Sequence, residues 1–218
     1  MNNSKVIEQT ITFVKETLKN AEGGHDWFHI QRVHKNALLI AKNISKANLL
    51  VVQLGALLHD IADSKFHQGD EKIGPQKARN FLESINVSET IIVHIENIIK
   101  NISFKGGNFD QDFTSIELKI IQDADRLDAI GAIGVARCFN YGGFKGRVMY
   151  DPDIAPKLNM SKEEYKNSNA PTINHFYEKL LLLKDRMNTK AGKKIAEKRH
   201  QFMEEYLSQF YNEWEGKV

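Results

Sequence analysis

The chain has one cysteine, four prolines and two tryptophans among its 218 residues. A lone Cys138 cannot close an internal disulfide, which excludes the small disulfide-stapled secreted scaffolds. No apolar run approaches the roughly 20 residues that span a bilayer, so no transmembrane helix is expected. Nor does a basic segment followed by an apolar core and a small-residue cleavage site open the chain, and a cytoplasmic protein is expected. Charge of one sign is scarce too: 30 Lys and Arg stand against 28 Asp and Glu, interleaved, for a net charge of +2. A sequence-independent nucleic-acid surface is therefore not indicated, and any affinity for phosphate must be local. No strand-period alternation, internal repeat or low-complexity tract is present.

What is present is helical periodicity. Ile7, Ile11, Val14 and Leu18 recur at spacings of three and four and predict a first amphipathic helix, ended by Gly23 and Gly24. A second is expected from about Trp27 to Ile44, burying Ile30, Val33, Ala37, Leu38 and Ala41. The third, from about Asn48 to Ala62, is apolar around most of its circumference, as in the central helix of a bundle. Helices follow at about 75–85 and 89–101. Thr114-Ser115-Ile116-Glu117 has the spacing of a capping box that would start the next, which carries Asp123, Asp125 and Asp128. Residues 141–171 hold Gly142, Gly143, Gly146, Pro152, Pro156 and Pro171 with little periodicity, and read as a long lid-like loop. Helices near 172–187 and 190–214 close the chain. The expectation is an all-α fold in a single domain over 1–218, with its functional core at about 20–140.

Three motifs carry chemistry. His59-Asp60 ends the apolar run Leu54-Gly55-Ala56-Leu57-Leu58, His29 lies one helix earlier, and Asp125 lies in a later helix that is otherwise apolar around Ile120, Ile121 and Leu127. Neighbouring side chains diverge by about 100° on a helix, yet His59 and Asp60 are both long enough to converge on an ion lying between them. A carboxylate directed into a bundle demands a cation or donors, because an unpaired buried charge is costly. Two imidazoles and two carboxylates hold a divalent metal with positions left for water and substrate, which points to hydrolysis. Taken singly, a core histidine or a salt-bridged aspartate would be the commoner reading of each. His25 or His34 could stand in for His29, His94 fits a buried structural role among isoleucines, and His175 fits capping or packing. His25 and His29 also have zinc-protease spacing, but Asp26-Trp27-Phe28 between them lacks the glutamate such a site uses as base.

In the contexts His29-Ile30-Gln31-Arg32-Val33, Leu57-Leu58-His59-Asp60-Ile61-Ala62-Asp63 and Asp123-Ala124-Asp125-Arg126-Leu127-Asp128, the chain resembles the HD-domain phosphohydrolase superfamily. The segments Gly24 to His29 and Ile102 to Gly107, with the Gly-rich stretch, look like a compact bacterial branch with members that act on nucleoside triphosphates. The resemblance implies an HD-type helical bundle with His29, His59, Asp60 and Asp125 as metal ligands. Asp128 shares the face of Asp125 and would support it, and Asp63 corresponds to an acidic position that handles the attacking water or the leaving group. Ser103 stands where two-metal branches place a further histidine, which favours one ion. Mn²⁺ or Mg²⁺ is favoured, and the mixed ligand set also suits Fe²⁺, Co²⁺, Ni²⁺ or Zn²⁺. A polyphosphate needs cations around it. Lys65, Lys105, Arg32, Arg126 and Arg147 are the candidates, with Tyr141 beside them, although Arg32 and Arg126 could instead pair with a ligand carboxylate. The expected substrate is a (deoxy)nucleoside triphosphate, cleaved at the α-phosphorus to release pyrophosphate. A monophosphate, a cyclic nucleotide or a guanosine alarmone is the alternative within the same chemistry, and a nucleotide-sensing helical module is the non-enzymatic one. Neither a membrane nor a nucleic-acid partner is expected, and a homodimer is left open.

Overall fold

The computed structural model describes residues 2–217 apart from 20, 22–23, 63–71, 103–111, 162–163 and 165–166. Asp63, Lys65, His67, Ser103, Lys105 and Phe109 therefore lie outside the described residues. The described elements are α1 Asn3–Thr17, α2 Trp27–Ala41, α3 Leu49–Leu58, α4 Ile73–Ser84, α5 Glu89–Asn101, α6 Ile116–Asp128, α7 Gly131–Phe144, α8 Asn174–Glu178, a 3₁₀ helix at Leu180–Arg186, and α9 Lys190–Trp214. Among the described residues there is no strand, and the fold is all-α. No helix among them is long and apolar enough to cross a membrane. The chain divides into two compact units, Met1–Asp125 and Arg126–Val218.

In the first unit α3 is the axis. Val51, Val52, Leu54, Ala56, Leu57 and Leu58 are all buried, and α1, α2 and α5 pack around them. Each fully buried aliphatic side chain of this kind contributes about 1.5–3 kcal/mol. Gly55 lets neighbouring helices close on the axis, because a Cβ there would stand 2.5 Å from Ile121 Cδ1 and 3.4 Å from Ile98 Cδ1. α3 starts on Asn48, whose side chain accepts from the Leu50 and Val51 amides at 3.1 and 3.3 Å. The Asn48 amide in turn donates to Glu117 Oε1 at 2.8 Å. That bond disposes of the expected Thr114-x-x-Glu117 box: Glu117 is committed to α3, and Ser115 Oγ caps α6 by accepting from the Leu118 amide at 3.0 Å.

The second unit departs from expectation in two places. α7 runs through Gly142 and Gly143 to Phe144, so the irregular stretch begins at about residue 145 rather than 141. Gly142 serves a close approach rather than a turn. A Cβ at that position would meet Thr172 Oγ1 at 2.2 Å, where the Thr172 and Ile173 amides bond to the Val148 and Met149 carbonyls at 2.9 and 3.0 Å. The expected helix over 172–187 is the short α8 followed by the 3₁₀ turn. A three-residue repeat puts Leu180 and Leu183 on one buried line and leaves Leu182 exposed. Aromatic rings complete the unit, with Phe176 stacked on Tyr206 at 6.0 Å and Tyr150 edge-on to Trp214 at 4.9 Å. Burial pushes the Cys138 thiol up to about 12, so it stays protonated and unreactive.

Candidate metal centre

Three pieces of the first unit bring the ligand candidates together. Asp26 is the N-cap of α2, in extended backbone, and its side chain accepts from the His29 amide at 2.9 Å. The cap sets where α2 begins and therefore where the His29 ring emerges, beside the buried Ile30 and Val33. An Asp directly ahead of an apolar periodic run is the sequence signal of such a cap. At the other end of the axis, α3 stops at Leu58 and leaves its last carbonyls without helical partners. His59 sits at the C-cap and its Nδ1 lies 2.9 Å from the Ala56 carbonyl. A carbonyl only accepts, so Nδ1 carries a hydrogen and Nε2 is the ring nitrogen left to meet an ion. From α6 comes Asp125, on the helix whose Ile121, Ala124 and Leu127 are buried and whose Ala124 carbonyl accepts from Asn36 Nδ2 of α2 at 3.4 Å.

His29, His59 and Asp125 each offer an atom within 4.8 Å of the others. His29 Nε2 is 3.6 Å from Asp125 Oδ1 and 3.9 Å from Asp60 Oδ2, and His59 Nε2 is 3.9 Å from Asp125 Oδ1. These separations are too long for hydrogen bonds. They are near the about 3.4 Å that separates two tetrahedral ligands bonded at about 2.1 Å to one ion.

The strongest sign of fit is His59 Nε2 itself, a buried ring nitrogen with no hydrogen-bond partner among the described residues. Leaving such a group unmet costs about 1–3 kcal/mol, and a cation among these carboxylates would satisfy it. Its anchored Nδ1–H is the outer bond that orients a metal-binding imidazole.

Burial is graded across the cluster. The His29 and His59 side chains are each 2% exposed, forming a floor, whereas Asp60 is 21% and Asp125 38% exposed. His25 joins this open rim, its Nε2 3.9 Å from Asp60 Oδ2 and its ring 6.1 Å from that of His29.

The remaining candidates have surroundings of their own. His34 bonds to the Gln53 side chain at 3.2 Å, and burial holds its pKa below the usual value. His94 is 3.0 Å from Ser115 Oγ and 3.6 Å from Glu117, which ties α5 to the start of α6. Asp128 pairs with Arg137 at 2.7 Å within the second unit. Arg126 donates to the Arg186 carbonyl, and Arg147 donates to the Ser168 carbonyl at 2.6 Å. Tyr141 is exposed on α7, with the Arg147 guanidinium 5.8 Å over its ring. Arg32 is half-buried, one turn after His29.

Comparison with known proteins points the same way as this geometry. Residues 27–130 match the family model of the HD domain. The uncharacterized protein YpgQ of Bacillus subtilis is 35% identical over 217 residues, covering 99% of this chain and 97% of that protein. A crystal structure of an HD-superfamily hydrolase from Bacillus thuringiensis superposes with a TM-score of 0.77 at 45% identity, covering 98% of this chain and 99% of its own. The crystal structure of YpgQ in complex with ADP superposes at 33% identity with a TM-score of 0.77, over 98% and 97% of the two chains.

Proposed function

This chain belongs to the HD domain family, and on that premise we propose that it is a metal-dependent phosphohydrolase acting on nucleotides, with (deoxy)nucleoside triphosphates cleaved at the α-phosphorus and pyrophosphate released. The observation that carries the metal reading is the buried His59 Nε2, which has no hydrogen-bond partner among the described residues and stands 3.9 Å from Asp125 Oδ1. The ligands assigned are His29, His59, Asp60 and Asp125, binding one ion, with Mn²⁺ or Mg²⁺ as the working choice. When bound, that ion supplies an activated water and offsets charge at phosphorus.

The protein's own residues do the rest. The Ala56 carbonyl holds the His59 ring by Nδ1 and leaves Nε2 to meet an ion, and the Asp26 cap holds His29 in place. Asp60 and Asp125 form the open side, through which water and substrate reach the floor histidines. Asp63, one turn beyond Asp60 in sequence, is assigned to orient the water or to protonate the leaving group. Lys65, Lys105 and Arg32 are assigned to the phosphate oxygens. The nucleotide part of this reading is supported by the solved complex of the related YpgQ with ADP.

The test is purified protein with Mn²⁺ or Mg²⁺ and a nucleotide panel, products resolved by ion-exchange chromatography. Pyrophosphate and a nucleoside monophosphate from triphosphates would support the reading. Phosphate release confined to monophosphates, or turnover of cyclic nucleotides or alarmones alone, would replace the substrate. No turnover of any of them, with ADP still bound, would favour a sensing module.

A further inference from the structure

The floor and rim of the cluster divide three imidazoles. His29 and His59 are sealed, with their rings 5.4 Å apart, while a third ring, His25, has 22% of its side chain exposed. His25 is not among the three residues whose ligand atoms lie mutually within 4.8 Å. Its Nε2 and that of His29 are each 3.9 Å from the same Asp60 Oδ2. Its backbone precedes the N-cap of α2, so the ring is free of the helical direction that commits His29 to the interior. The Asp26 side chain is tied to the His29 amide, which holds the turn carrying His25 against the site. An imidazole fixed on the solvent side of a carboxylate-rich cluster places an N–H donor where an anionic ligand must enter, and a phosphate needs donors there to offset the nearby Asp60 and Asp125.

We propose that His25 is a substrate-contact residue, donating a hydrogen bond from its ring to a phosphate oxygen of the nucleotide without holding the metal ion. This rests on the phosphohydrolase reading above and assigns one residue of its phosphate-binding side.

The experiment compares wild type, His25→Ala and His25→Gln by Mn²⁺ calorimetry, ADP binding in the presence of Mn²⁺, steady-state turnover of a deoxynucleoside triphosphate, and thermal melts as a folding control. The expected result is unchanged Mn²⁺ affinity in both variants, with kcat/KM down roughly tenfold to a hundredfold in His25→Ala and ADP binding weakened in parallel. His25→Gln, which keeps a side-chain N–H donor, should recover part of the loss. Loss of Mn²⁺ affinity in both variants would make His25 a ligand and overturn the proposal. Unchanged turnover and ADP binding in His25→Ala, with the wild type active, would overturn it alone. A wild type that binds Mn²⁺ but neither binds nor cleaves any nucleotide would overturn the parent reading and this assignment together.

Discussion

Replacing Asp26 tests whether a helix cap, rather than a ligand, governs the geometry of the candidate centre. Asp26→Ala removes the acceptor that holds the His29 amide at 2.9 Å. A lost N-cap costs about 0.5–2 kcal/mol, and losing a carboxylate at the helix N-terminus adds about 0.3–1 kcal/mol. For a chain of this size each kcal/mol lowers Tm by about 2–4 °C, so Asp26→Ala should melt several degrees below wild type. Asn caps nearly as well as Asp, so Asp26→Asn should lose only the charge contribution, about 1–4 °C. Melts are followed by far-UV circular dichroism in chelator, which keeps metal linkage out of the comparison. Mn²⁺ affinity is then measured separately and should be weakened in Asp26→Ala and nearly retained in Asp26→Asn. If Ala and Asn lower Tm and metal affinity equally, the carboxylate charge matters and the cap does not. If neither variant changes either quantity, the placement of His29 owes nothing to Asp26.

Two further outcomes follow from the second unit. Gly142→Ala should destabilise by about 1–3 kcal/mol through overpacking, since its Cβ would lie 2.2 Å from Thr172 Oγ1; adding Thr172→Ala should return part of that in urea melts, and strictly additive losses would contradict the contact. Burial, reinforced by Lys179 and Arg147, pushes His175 down to about 3, so its ring stays neutral in the fold while the unfolded chain takes up a proton below about 6.5. Stability from this group is therefore complete above pH 6.5 and falls as pH drops toward 3, by up to about 1.4 kcal/mol per pH unit. His175→Gln should flatten urea-derived stability between pH 6 and 4, and parallel wild-type and variant curves would refute this.

Most of the fold is legible because the apolar spacing of α2, α3 and α5 is dictated by faces that those helices bury locally, whereas α1 formed as expected but buries Val6, Thr10 and Val14 rather than the Ile7, Ile11 and Leu18 stripe. What escaped reading depends on distant partners. Gly142 looks like a loop residue until Thr172 is seen to occupy the space of its side chain, and Glu117 looks like a capping partner until it is found bonded to the Asn48 amide. Leu180 to Leu183 read as α-helix although the residues buried there, three apart, suit a 3₁₀ turn. At the site, the order His29, His59-Asp60, Asp125 was enough to nominate the residues, and the structure gathers His29, His59 and Asp125. The proton on His59 Nδ1 was not legible, because it follows from α3 ending at Leu58 and freeing the Ala56 carbonyl, and helix ends are weakly encoded by periodicity. The graded exposure that separates His25 from His29 is likewise a property of packing, since both are histidines four residues apart.

The central claim, that the buried His59 Nε2 and its neighbours hold one divalent ion, is tested most directly by calorimetric titration of chelator-stripped protein with Mn²⁺. Wild type, His59→Ala and Asp125→Ala are compared, with folding of each checked by circular dichroism. One ion per wild-type chain, a Tm that rises with Mn²⁺ as mass action requires, and loss of both in the folded variants is the predicted result. Undiminished Mn²⁺ binding by folded His59→Ala and Asp125→Ala would contradict it.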